Sequence, residues 1–156
     1  MNRTDYILKE SEWIVAEDAA PYGNENFPMK EETYQLIGLC MEVHRILGHG
    51  FLEIVYKDAI VKELQWKNIS YEREKKYVIN YKEVILPHSF HADFVVNQNI
   101  ILDVKAQQSL PESFYAQVIN YLAASKAPVG LLINFGESSL KYKRFIFTPK
   151  KSVQST

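Results

Sequence analysis

Apolar residues recur at helical spacing in the first third of the chain and at alternating spacing after it. Leu36, Cys40, Val43 and Leu47 fall on one helical face, Ile37, Met41 and His44 on its neighbour, and Gly48 offers a stop, which predicts a helix from Glu31 to Leu47. After the loop Gly48-His49-Gly50, the stripe Leu52, Val55, Tyr56, Ala59, Ile60 and Leu64 predicts a second helix over Leu52 to Lys67. From Ser70 the period shortens to two. Segments 70–80, 83–86 and 90–96 read as strands, the first two joined near Tyr81-Lys82, and Asn97-Gln98-Asn99 is a turn of residues that tolerate positive φ. Segment 100–106 is apolar enough for a central, covered strand. Ser109 to Glu112 has the spacing of a capping box, opening a third helix to Ser125 through Phe114, Val118, Ile119 and Leu122. Segment 129–135 reads as a buried strand and 141–147 as an alternating, edge-like one. The order predicts a mixed α/β sandwich, its sheet begun by hairpins and continued through a crossover helix.

The 156 residues are 47 % apolar and 24 % charged, enough for one domain with a real core and against disorder of the whole chain. No run of about 18 apolar residues exists, so no transmembrane helix is expected. The first residues lack a basic patch followed by an apolar run, so no secretory signal is expected. One cysteine, Cys40, makes no internal disulfide, and with four scattered histidines it builds no thiolate-rich zinc site; the expected compartment is a reducing cytoplasm. Residues 1–33 carry three basic side chains against eight acidic ones, while residues 34–156 carry fifteen against eleven. Residues 1–30 read as an acidic leader, partly irregular, because the stretch from Ala16 to Pro28 is rich in turn formers and acids. Residues 31–148 form the expected domain and residues 149–156 a polar tail. A mildly basic body permits a polyanionic partner without demanding one. No phosphate-cradling glycine loop, nucleophile elbow or H-E-x-x-H helix is present, which argues against NTPase, serine-hydrolase and zinc-protease chemistry.

The informative stretch is His91-Ala92-Asp93, a turn, and then Asp103-Val104-Lys105. Asp103 and Lys105 lie two apart on a strand and leave the same sheet face, and Asp93 on the preceding hairpin strand can meet Asp103 across the ladder. Two charges interrupt an otherwise buried apolar run, a placement that is costly unless they are paired or bind metal. Neighbouring carboxylates repel, and a hard divalent cation such as Mg²⁺ or Mn²⁺ relieves that repulsion. The plainer reading is a salt bridge between Asp103 and Lys105, with Asp93 as a turn residue. His44 and Tyr56 have equally plain readings as hydrogen-bonded packing residues, and Cys40 as a buried thiol. The basic clusters Lys75-Lys76 and Lys141-Tyr142-Lys143-Arg144 suit either solvated strand faces or nucleic-acid backbone.

Gly50-Phe51-Leu52-Glu53-Ile54-Val55-Tyr56 fits G-x-x-E-x-x-Y, preceded by Glu42 to Gly48. Downstream come Ala92 to Val96, Leu102 to Ala106, Gln117 to Leu122, and Gly130 to Gly136. In this order, over residues 33–147, these motifs resemble the GxxExxY proteins of the PD-(D/E)xK nuclease superfamily. The resemblance implies a restriction-endonuclease-like αβββαβ core, a mixed sheet flanked by helices, and Mg²⁺- or Mn²⁺-dependent hydrolysis of phosphodiesters, chiefly in DNA. By the same resemblance Asp93 and Asp103 are metal ligands, the Val104 carbonyl completes the metal shell, and Glu53 is a direct or water-mediated ligand. Lys105 positions water and stabilises the transition state. Gln117 and Tyr121 match a Q-x-x-x-Y pair of RecB-like members, four apart on one helix face, placed to orient phosphate or a ligand carboxylate. The chain has alanine at 92 where the pattern has proline, aspartate at 103 where this family has glutamate, and histidine at 91 where arginine is expected. Two rival classes remain: a nucleic-acid- or protein-binding module on the same fold, and a structural protein whose acidic leader docks on its own basic body.

Overall fold

The computed structural model describes residues 3–9, 12–18 and 28–149. In chain order its elements are β1 (Arg3–Lys9), β2 (Glu12–Asp18), α1 (Lys30–Leu47), α2 (Glu53–Trp66), β3 (Tyr71–Tyr77), β4 (Asn80–Tyr81), β5 (Val84–Ile85), β6 (Phe90–Val96), β7 (Ile100–Lys105), α3 (Ser113–Ser125), β8 (Val129–Asn134) and β9 (Lys141–Pro149). α1 carries Glu31 and Glu32 in its first turn, where acids favour the helix dipole, and ends at Gly48, whose positive φ lets its N–H return to the His44 carbonyl at 2.8 Å. The β6–β7 hairpin turns through Asn97 and Gln98, both left-handed, as the sequence predicts.

Seven strands form one sheet in the order β1-β2-β9-β8-β7-β6-β3. Among the described residues, only β7 and β8 run parallel, joined by the crossover through α3; the other pairs are antiparallel. Along β7 the side chains alternate between two cores. Ile100, Leu102 and Val104 join Leu36, Cys40, Tyr56, Ile60 and Leu64 of α1 and α2, whereas Ile101 joins Val118, Ile119 and Leu122 of α3. Asp103 and Lys105 therefore leave the sheet on the α3 side. The middle of the sheet is dry, with Ile100, Ile101, Leu102 and Val104 all fully buried.

The ends of β7 and β8 are tied by Asn134, which is itself fully buried. Its Oδ1 accepts the N–H groups of Gln107 at 2.9 Å and Gly136 at 3.1 Å, and its Nδ2 donates to the Gln107 carbonyl and to Glu137 Oε2, each at 2.9 Å. Every polar atom of the amide is thus used, and the chain leaving Lys105 is fixed against the chain leaving β8. Tyr56 makes a second tie. Its hydroxyl donates to the Gly48 carbonyl at 2.7 Å, accepts the Phe51 N–H at 3.3 Å, and its ring stacks on Phe135 at 4.6 Å. His44 contacts the Glu137 carbonyl through Nε2 at 2.9 Å. Tyr56 and His44 are the hydrogen-bonded packing residues of the plainer reading, and Cys40 is the buried thiol.

Some expectations change. β9 is not an edge, because β2 pairs along its outer side with Glu17 opposite Arg144 and Asp18 opposite Lys143. Lys143 and Arg144 are buried rather than on a solvated strand face, at 8 % and 1 % exposure. The strand read over 70–80 stops at Tyr77, and 83–86 contributes to a separate two-stranded ribbon, β4–β5, turned at Lys82 with φ 53°. α3 starts at Ser113 with no side-chain cap, because the carbonyls of Pro111 and Glu112 take the first free N–H groups instead of a Ser109 box. Two strands, β1 and β2, stand within residues 1–30, which the sequence suggests as an acidic leader, partly irregular. Residues 19–27, most of the stretch expected to be irregular, and residues 150–156 of the expected polar tail lie outside the described residues.

Candidate active site

The site forms where two strand ladders are interrupted side by side. β6 and β7 pair through Val96–Ile100, Val95–Ile101 and Phe94–Leu102, and the next positions in register are Asp93 and Asp103, where pairing stops. The Asp93 side chain enters the gap, its Oδ2 accepting the Val104 N–H at 2.8 Å. On the other flank of β6, Arg73 pairs with Phe94 and Lys75 with Ala92, but Glu74, opposite Asp93, is left-handed at φ 55° and does not pair. A left-handed residue with a side chain costs of order 1–3 kcal/mol, so surrounding contacts must hold Glu74 there.

Asp103 is only 3 % exposed, and its Oδ2 has no hydrogen-bond partner. Burial, then the hydrogen-bonding contact and charge of Asp93, push its carboxyl up to about 8; Lys105 pulls it back and Glu53 adds a smaller push. Two carboxylates in such contact need a shared proton or a cation between them. Lys105 Nζ lies 3.6 Å from Asp103 Oδ1 and donates to Gln117 Oε1 at 2.9 Å, over the face of Phe114. Gln117 Nε2 in turn donates to the Tyr121 hydroxyl at 2.7 Å. The Tyr121 ring stacks flat on Phe90 at 4.3 Å, and Phe90 on Tyr77 at 5.2 Å. Burial and the nearby charges of Asp103 and Asp93 raise the Tyr121 hydroxyl above its ordinary range, so it stays protonated while it accepts from Gln117.

The structure thus brings Asp93, Asp103, Lys105, Gln117 and Tyr121 into one connected cluster, with the Val104 N–H engaged by Asp93. Glu53 reaches it only indirectly. It opens α2, is 39 % exposed, and its Oε2 lies 3.2 Å from Lys57 Nζ. Lys57, which the sequence reading passed over, donates to Asp93 Oδ1 at 2.7 Å and lies 3.6 Å from Glu74 Oε1. Burial lowers its affinity for a proton, but the hydrogen bonds and charges of Asp93 and Glu53 outweigh that and raise its pKa overall. The available signal was its place four residues after Glu53 and one turn before Ile60 of the buried stripe.

Among the described residues, no three His, Cys, Asp or Glu side chains are gathered as a ready metal cage. The donor chemistry nevertheless fits a hard cation: adjacent carboxylates, with one buried oxygen left without a partner. Among the described residues, no helix is long and apolar enough to cross a membrane.

In structure the chain is similar to the protein described as "Crystal structure of SSO0001", with a TM-score of 0.47 and 20 % sequence identity over 78 % of this chain. The match spans 60 % of that protein's length. The family model of the PD-(D/E)XK nuclease superfamily matches residues 30–145. That span holds α1 and α2, the hairpin that carries Asp93, Asp103 and Lys105, and the α3 crossover, in a mixed sheet flanked by helices of restriction-endonuclease-like type. On that match, the chain belongs to the PD-(D/E)XK nuclease superfamily.

Proposed function

We propose that this is a GxxExxY-type nuclease domain that hydrolyses phosphodiester bonds of DNA with Mg²⁺ or Mn²⁺, in the cytoplasm. The observation that carries the reading is the adjacency of Asp93 and Asp103 where the β6–β7 ladder stops, with an unpartnered buried oxygen on Asp103 and the Lys105 ammonium 3.6 Å from that side chain. Asp93, Asp103 and the Val104 carbonyl would hold the ion, with Glu53 as a further carboxylate on the rim. A bound divalent cation supplies charge neutralisation at the phosphate and lowers the pKa of an attacking water.

The protein's own groups set the rest. Gln117 and Phe114 hold Lys105 with its ammonium beside Asp103, where it meets negative charge developing on a phosphate oxygen. Tyr121, kept protonated, fixes the Gln117 amide so that its oxygen faces Lys105. The packed strands on both sides limit the movement of these groups, and catalysis is sensitive to displacements of about 1 Å. DNA, rather than RNA, rests on analogy within the superfamily. A second reading, a binding module without cleavage, draws support from Lys57, whose cation already sits on Asp93.

Plasmid cleavage separates the two. Mg²⁺-dependent cutting that EDTA abolishes, and that Lys105→Ala and Asp103→Asn both lose, is the result the nuclease reading expects. Retained nucleic-acid binding with no cutting under any divalent ion would favour the module.

A further inference from the structure

Lys57 is the least expected group in the molecule. A lysine ammonium seldom sits under cover, yet this side chain is only 10 % exposed and has three carboxylates around it: Asp93 at 2.7 Å, Glu53 at 3.2 Å and Glu74 at 3.6 Å. Two of the three, Asp93 and Glu53, are the side chains that the nuclease reading assigns to metal. The third, Glu74, sits on the strand opposite Asp93 in a left-handed conformation that breaks the β3–β6 ladder. The break and the ammonium coincide, so the local backbone is shaped around the lysine.

We propose that Lys57 is the resident cation of this site, and that a divalent ion engages Asp93 and Glu53 only by displacing it. The inference rests on the metal-dependent reading above. An ammonium and a divalent ion cannot occupy the same carboxylate oxygens, and repulsion between them at a few ångströms of separation is large in a poorly hydrated cleft. Glu74, half exposed and already within 3.6 Å, is the acceptor left for the displaced ammonium. In this arrangement Lys57 offsets part of the negative charge of the acidic cluster in the metal-free protein and sets a threshold for loading, favouring a doubly charged ion over a monovalent one.

The probe is Mn²⁺ alone, titrated calorimetrically into the full chain without nucleic acid. Lys57→Gln should bind Mn²⁺ about tenfold or more tightly than wild type, since removing a unit positive charge at ion-pair distance favours a cation by at least that factor. Equal or weaker binding by Lys57→Gln overturns the inference while leaving the metal reading intact. No Mn²⁺ uptake by either protein removes the metal reading and this inference with it. A second measurement does not depend on how the variant folds. Trace acetylation of wild-type lysines, mapped by mass spectrometry, should rise several-fold at Lys57 when Mn²⁺ saturates the protein, with exposed Lys62 on the same helix as the unchanged reference. Unchanged or reduced labelling of Lys57 in the Mn²⁺-loaded protein contradicts displacement.

Discussion

Removing the charge of Asp103 should make the metal-free protein more stable at pH 8, by a margin that shrinks steadily as the pH falls towards 4. Burial and Asp93 raise the Asp103 carboxyl from 3.8 to about 8, so the folded state holds a proton that the unfolded chain releases near pH 4. A raised pKa contributes stability that is fully present below about pH 4 and is lost as pH rises through about 8. At about 1.4 kcal/mol per unit the shift sets a ceiling of about 5 kcal/mol. Adjustment of the site and entry of water reduce this to about 2–3 kcal/mol at pH 8. Asp103→Asn mimics the protonated form, because the amide can donate to Asp93 where the acid shared its proton. With about 4 °C per kcal/mol for a domain of this size, the variant should melt roughly 10 °C above wild type at pH 8, with the gap narrowing towards pH 5. Melting curves by circular dichroism in EDTA, at half-unit steps from pH 5 to 8.5, read the difference directly. Parallel curves with no widening gap would refute the argument that burial and Asp93 together outweigh Lys105 and keep Asp103 protonated in the metal-free fold.

Other outcomes follow from the ties around the site. Asn134→Ala strips partners from the Gln107 N–H and carbonyl and the Gly136 N–H, and should cost about 2–4 kcal/mol in urea denaturation, more than a surface change would. Tyr56→Phe keeps the stack on Phe135 but leaves the Gly48 carbonyl and Phe51 N–H without their hydroxyl, for a loss of about 1–2 kcal/mol by the same assay. Gln117→Leu removes the oxygen that holds Lys105 and should lower Mg²⁺-dependent cleavage by about tenfold or more, while the melting temperature moves by only a few degrees; unchanged cleavage would show that Lys105 needs no such support.

Much of this was legible in the residues, and the parts that were not have identifiable causes. The alternation through 90–105 and the turn at Asn97-Gln98 set the register of the β6–β7 hairpin, and register alone puts Asp93 next to Asp103. The spacing of Gln117 and Tyr121 placed both on one face of α3, and their hydrogen bond follows from it. Lys57 was missed because a lysine beside an apolar stripe reads as a side chain that snorkels to water; three acids from α2, β3 and β6 converge on it only in three dimensions. Lys143 and Arg144 looked like an exposed basic cluster because nothing local signals that β2 extends the sheet beyond β9 or that Tyr115 of α3 packs against Lys143. Glu74 carries no turn-forming residue type, so its left-handed conformation had no local signal either.

The central claim is that Asp93 and Asp103 form a seat for a hard cation beside Lys105. A crystal soaked in Mn²⁺ and measured at the manganese absorption edge tests it most directly. The account predicts an anomalous peak bridging the two carboxylates, within about 2.0–2.4 Å of an oxygen from each. A saturated soak that leaves Asp93 on Lys57, with no peak between the two aspartates, would contradict it.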